Sequence, residues 1–186
     1  MGQMTRAQYE EARSWAWEFL QKAGVPLHAP DRERIDVAGL GLGEHQQTGL
    51  QILTLVADPW VAVKLLILRP NQFVPQHRHP PSPVEDYPGK TEVFRGQYGE
   101  AYLFVPGAVG ERPRGSPPEH RRRFCTVWHE VPLLPGDQYV CPPNTWHWFQ
   151  AGGSGAVIWS ISSKATDAED EFADPQVVRM APISED

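Results

Sequence analysis

The chain has 186 residues, 40% of them hydrophobic and 22% charged, with a formal net charge of -6. That length is enough to bury a core within one domain, and the acidic balance gives no electrostatic support to nucleic-acid binding. No segment has the roughly 18 consecutive apolar residues of a membrane span, and the charged start MGQMTRAQYEEARSW lacks the apolar run of a signal peptide. The opening MGQMTR also misses an acylation signal, because Arg6 stands where Ser or Thr is required. Cys125 and Cys141 have no CxxC spacing and read as free buried thiols. A cytoplasmic enzyme or binding protein, with no membrane partner, is therefore expected.

Residues 5–23 form the first predicted element, an amphipathic helix. Tyr9, Ala12, Ala16, Phe19 and Leu20 share one stripe, Thr5 is placed to cap the start, and Gly24 with Pro26 ends it. Short β-rich runs follow at 49–57, 61–69, 91–95, 100–105, 124–131, 137–141, 146–150 and 155–162, separated by turn signals such as ADP, RPN, RGQYG, PGD, PPN and AGGSG. Strands so short and so evenly spaced predict an all-β sandwich or small barrel spanning 49–162. Residues 106–123 lack periodicity and read as a polar surface loop, and residues 163–186 as an acidic tail lying on the surface or partly mobile.

The stretch VPQHRHPPSPVEDYPGKTEVFRG carries the clearest chemistry. On a strand His77 and His79 point to the same face and Arg78 to the other, so the pair makes a bidentate clamp for a divalent metal. A dozen residues later comes Glu92, followed by Gly99 after six more. Downstream, five residues separate Gly136 from Pro142, and His147 stands five positions after that proline.

These spacings resemble the two motifs of the cupin superfamily. The resemblance implies a double-stranded β-helix, or jelly-roll barrel, with His77, His79, Glu92 and His147 as metal ligands. The chain departs from the usual pattern in the long insertion 80–91 and in Pro142-Pro143-Asn144 where PxG is usual, although Asn is the best substitute for Gly at positive φ. Three neutral imidazoles and one carboxylate leave a net positive charge on a divalent ion, and Mn, Fe, Co, Ni and Zn all accept such donors. Over roughly residues 40–175, strings such as HRHPP, GKTEVFRGQYGEAYLFVPG, PGDQY, PPNTWHWFQAG and FADP look like the D-lyxose isomerase family. That resemblance implies a homodimer that uses Mn to interconvert D-lyxose with D-xylulose, and D-mannose with D-fructose.

Isomerisation of this kind needs a base near C1 and C2 and a donor or cation for the oxygens. Lys64 shares a strand face with Ala62, Leu66 and Leu68; it is either an edge-strand lysine in solvent or a catalytic cation, and the family resemblance favours the second. Lys90, two residues before Glu92, either reaches the substrate or lines the barrel mouth. Glu85 and Asp86 sit on a proline-stiffened loop tethered over the metal, either as proton-transfer groups or as solvated acids. The resemblance also implies an acidic base on the strand after the AGG turn, where this chain has Ser160. Asp170 is either another acid near the site or part of the tail surface. Among Trp146, Trp148, Phe149 and Trp159, two are expected to fill core and the others to face a sugar. His129, in WHE, reads as a structural hydrogen-bonding group, and Arg121-Arg122-Arg123 as a solvated loop or a phosphate binder. An iron cupin dioxygenase and a noncatalytic sugar-binding cupin are the alternatives.

Overall fold

Thr5 begins the first helix by a reciprocal cap. Its side chain accepts the Gln8 N–H at 3.2 Å, and the Gln8 side chain accepts the Thr5 N–H at 2.9 Å. In this computed structural model, which describes residues 2–82 and 86–185, the helix α1 runs Arg6–Lys22 and buries Tyr9, Ala12, Ala16, Phe19 and Leu20. These are the residues of the expected stripe. Ala16, Phe19 and Leu20 pack on Ile35, Leu53, Leu65, Ile67 and Val157, so the helix covers part of one outer sheet face.

The strands are β1 (Ile35–Ala38), β2 (Leu50–Ala57), β3 (Ala62–Leu68), β4 (Phe73–Arg78), β5 (Glu92–Val105), β6 (His129–Leu133), β7 (Gln138–Cys141), β8 (His147–Ser162) and β9 (Glu171–Phe172). All their pairings are antiparallel. The order along one path is β1-β2-β3-β8-β4-β9, while β5 lies along the other edge of β8 and pairs outward with β6 and β7. The sheet curls so that Leu50, Ile52, Leu66, Phe94, Leu103, Phe149 and Ile158 meet in one interior cluster. A curled, mostly-β fold was expected, and it is what forms.

Several boundaries differ from expectation. The runs 91–95 and 100–105 are one strand, as are 146–150 and 155–162. The intervening RGQYG and AGGSG stretches are bulged ladder rather than turns, with register shifts between Gly96 and Tyr98 and between Gly99 and Ala101. Gly99 has φ 67, and a β-carbon there would lie 2.0 Å from the Gly155 carbonyl oxygen, so only glycine lets the two long strands bend together. The run 124–131 is not a strand until His129. Upstream of it Glu119–Arg122 form a short helix, α2, and the Gln76 side chain accepts the Thr126 N–H that a ladder would otherwise use.

The region 106–123 is likewise more than a surface loop. Arg121 is buried and donates to Glu44 at 3.0 Å, Asp174 at 2.7 Å and Gln176 at 2.7 Å. This pins the tail to the barrel and leaves Arg121 no free face for a phosphate. Arg122 and Arg123 lie over the Trp128 and Phe124 rings. His129 hydrogen-bonds the Ala108 carbonyl and Glu130 pairs with Arg114, so WHE is structural. Trp148 and Phe149 are core, whereas Trp146 and Trp159 are half-buried. Both cysteines are unpaired and buried.

Candidate metal centre

Antiparallel pairing between β4 and β8 sets His77 directly opposite His147. His79 follows the end of β4, and its carbonyl accepts the Asn144 N–H at 3.0 Å. Asn144 has φ 56, the left-handed conformation that Asn tolerates best after Gly. The turn that delivers His147 is thus fastened to the strand that delivers the other two histidines. On the return from the loop, Gly89 has φ 104 and its missing β-carbon would lie 2.3 Å from the His79 carbonyl oxygen. Glu92 then starts β5 in register with Cys141 and Ser162.

The three imidazoles converge. Ring centroids lie 5.3 Å apart for His77 and His79, 4.3 Å for His77 and His147, and 5.1 Å for His79 and His147. One nitrogen from each falls within 4.8 Å of the others, and all three residues are buried. The outward nitrogens are committed: His77 Nδ1 to the Pro75 carbonyl at 2.9 Å, His147 Nδ1 to the Thr145 carbonyl at 2.9 Å, and His79 Nδ1 to Asp170 Oδ1 at 2.6 Å. Donation from Nδ1 leaves the Nε2 of His77 and of His147 with a lone pair. His147 Nε2 is buried and has no partner. His79 Nε2 lies 2.8 Å from Glu92 Oε2, too close for a lone pair and a carboxylate oxygen unless a proton or cation stands between them. An orphaned donor nitrogen and a carboxylate beside convergent imidazoles fit a divalent metal.

The charge states of the ion-free protein follow from burial and neighbours. Burial, with the other imidazoles adding repulsion, lowers His77 to about 3 and His147 to about 4. Burial pulls His79 down as well, but its bonds to Asp170 and Glu92 outweigh that and leave it raised. Burial would raise Glu92, yet Lys90 and His79 hold it well below the usual carboxylate range. Two neutral imidazoles and an ionised carboxylate already stand in the protonation states that metal binding requires.

Next to this cluster is a small cavity of about 50 Å³, lined in part by Lys64, Lys90, Ser160, Asp167, Phe172 and Arg179. Lys64 is 5% exposed and Lys90 3% exposed, so neither is a solvent-facing lysine. Lys64 pairs with Ser160 across β3 and β8, and its ammonium bonds Asp167. Lys90 donates to Asp167 at 3.2 Å and lies 3.6 Å from Glu92. Ser160 donates its hydroxyl to Glu92 Oε1. Phe172 stacks on His77 with centroids 5.3 Å apart. Of the loop acids, Asp86 is exposed and outside the cavity lining, and Glu85 lies outside the described residues.

The tail corrects the sequence reading most. Asp170 is no surface acid: its side chain is 7% exposed and bonded to His79. Asp167 was not anticipated at all. Both lie in ATDAEDEFADP, where nothing local separates a buried acid from a solvated one.

No family model matches the sequence. It is 44% identical over 180 residues to a D-lyxose ketol-isomerase of Thermofilum sp., an alignment spanning 97% of this chain and 99% of that one. The chain belongs to the D-lyxose ketol-isomerase family. A second member of this family, named D-lyxose/D-mannose isomerase, from Thermosediminibacter oceani, is 42% identical over 98% of this chain and 99% of its own. Two L-ribose isomerase structures share the family fold at low identity, each alignment covering 98% of both chains. That of Cellulomonas parahominis has TM-score 0.79 at 17% identity, and a variant from Acinetobacter sp. DL28 in complex with L-ribose has 0.81 at 15%. They bear out the cupin-like barrel.

Proposed function

We propose that this ketol-isomerase interconverts D-lyxose with D-xylulose and D-mannose with D-fructose, using one divalent ion held by His77, His79, Glu92 and His147. The observation that carries the reading is the set of inward Nε2 atoms beside Glu92, in a chain of this family. The donor set accepts Mn, Fe, Co, Ni or Zn; manganese is taken first on the family resemblance. When bound, such an ion supplies a Lewis acid that favours loss of the proton beside the sugar carbonyl.

The chain's own groups divide the remaining work. Asp170 fixes the His79 tautomer, and Ser160 orients Glu92. Lys64 and Lys90 are buried cations lining the pocket, where they stabilise charge developing on the sugar's O1 and O2 better than in water. Burial would lower Lys90, but Glu92, Asp170 and Asp167 keep it raised, so it stays charged. Phe172, Phe94 and Phe149 give the cavity an apolar wall that keeps solvent from the reacting carbons.

Homodimer formation belongs to the same reading. Val56, Val63, Ile161, Val93 and Val140 form one cross-strand row through the registers of β2, β3, β8, β5 and β7. Its members Val56, Ile161 and Val140 are 39%, 40% and 52% exposed, a stripe suited to a second copy. The two unpaired thiols support a reducing, cytoplasmic setting. Among the described residues no helix is long and apolar enough to cross a membrane.

The test is to strip the chain of metal, restore manganese, and look for ketose after incubation with D-lyxose and, separately, D-mannose. D-xylulose and D-fructose are the expected products. Absence of ketose from both sugars overturns the reading.

A further inference from the structure

Moving a hydrogen between C2 and C1 requires a group that takes it and returns it, and the pairing in the cavity restricts which group that is. Lys64 and Lys90 are both bonded to acids and act as cations. Glu92 has one oxygen on the Ser160 hydroxyl and the other against His79 Nε2. Asp170 is committed to His79 Nδ1. His77 and His147 have one nitrogen on a backbone carbonyl and the other directed at the proposed ion. Arg179 is a permanent cation. Among the described ionisable groups lining the cavity, one carboxylate stays uncommitted to the metal cluster. That is Asp167, at the start of the 3-10 turn Asp167–Glu169.

Resting on the isomerase reading above, we propose that Asp167 is the general base that carries the proton between C2 and C1. Its carboxylate takes the C2 proton of the aldose. The C–H electron pair forms the C1–C2 double bond, and the former carbonyl electrons go to O1. The O2 proton then passes to O1, and the Asp167 acid returns its proton to C1 as the C2 carbonyl forms. Atoms and electrons balance without a co-reactant, and Asp167 ends as it began.

The surroundings of Asp167 suit that role. Its side chain is 24% exposed, between the interior and the mouth. Lys64, Lys90 at 3.2 Å and Arg179 at 3.6 Å face it from β3, from the residue preceding β5 by two, and from the tail. In the sugar-free protein those cations hold the carboxylate ionised and quiet. A sugar whose oxygens draw Lys64 and Lys90 away leaves Asp167 with fewer partners, and so more basic, at the moment it is needed.

The experiment compares Asp167→Asn, Asp167→Glu and wild type as full, manganese-restored chains acting on D-lyxose. General-base catalysis is worth about 10²–10⁴-fold. The expected result is a kcat loss of that size in Asp167→Asn with KM changed by less than about tenfold, an unaltered rise in Tm on adding manganese, and partial recovery in Asp167→Glu. A kcat for Asp167→Asn within about tenfold of wild type overturns the assignment, as does a kcat loss accompanied by loss of the manganese response, which would mark a structural role. Loss of turnover in Glu85→Gln with Asp167→Asn active would move the base to the loop. Absence of ketose from wild type sinks the sugar reading and this assignment together, whereas an active wild type with an equally active Asp167→Asn sinks the assignment alone.

Discussion

Replacing Arg121 by methionine removes the cation that ties the tail to the barrel. The arginine side chain is 8% exposed and that of Asp174 only 2%. After the change, Asp174 keeps one donor, the Gln176 N–H at 2.9 Å on Oδ1, and loses the guanidinium on Oδ2. Glu44 suffers less, since it retains Thr48 at 2.8 Å and His120 at 2.9 Å and is partly solvated. The cost is therefore dominated by one stranded buried carboxylate. Breaking a buried pair from one side costs about 3–5 kcal/mol, and the surviving Gln176 bond places this case near the lower end. At about 2–4 °C per kcal/mol for a chain of this size, Tm should fall by about 6–12 °C. Because the same tail carries Asp170 to His79, manganese affinity should fall with it. Urea unfolding with and without manganese measures both. A stability loss below about 1 kcal/mol, or a large loss with metal affinity unchanged, would refute the reasoning that the tail and the metal cluster are one mechanical unit.

Gly89→Ala places a β-carbon at φ 104 and 2.3 Å from the His79 carbonyl oxygen. It should cost at least about 1–3 kcal/mol and weaken manganese binding, whereas Gly153→Ala, with open space around it, should stay within about 0.5 kcal/mol of wild type. Equal urea midpoints for the two variants would contradict this. The acid limb of stability tests Asp167 in chelator-treated protein. Burial would raise its carboxyl, but Lys90 and Lys64 hold it below its ordinary value. Its contribution is complete above the unfolded value of about 3.9 and drains away as pH falls toward the folded value, because the unfolded chain takes up the proton first. Wild type should therefore lose stability more steeply than Asp167→Asn below about pH 4, and parallel curves would contradict the pairing with the lysines.

What could be read in the sequence was what local pattern encodes. The stripe of α1 follows from a 3.6-residue period, and Asn144 stands at positive φ where the spacing of the second motif calls for glycine. His77 and His79 share a site because a strand alternates. The parts missed or left open depend on partners distant in sequence. Lys64 meets Asp167 across 103 positions, and Arg121 meets Asp174 across 53. No periodicity in an acid-rich tail marks which carboxylates will be buried by those encounters. The glycines of RGQYG and AGGSG gave a true signal of unusual backbone, but glycine signals a bulge and a turn alike. Only the pairing of β5 with β8 decides between them.

One titration bears on the proposed metal-dependent chemistry most directly: manganese added in steps to the metal-stripped chain while ketose formation from D-lyxose is followed. Turnover should rise in proportion to added metal and level off at one ion per chain, and His147→Ala should show no such rise. Full turnover in the stripped chain, or none at saturating metal, would contradict it.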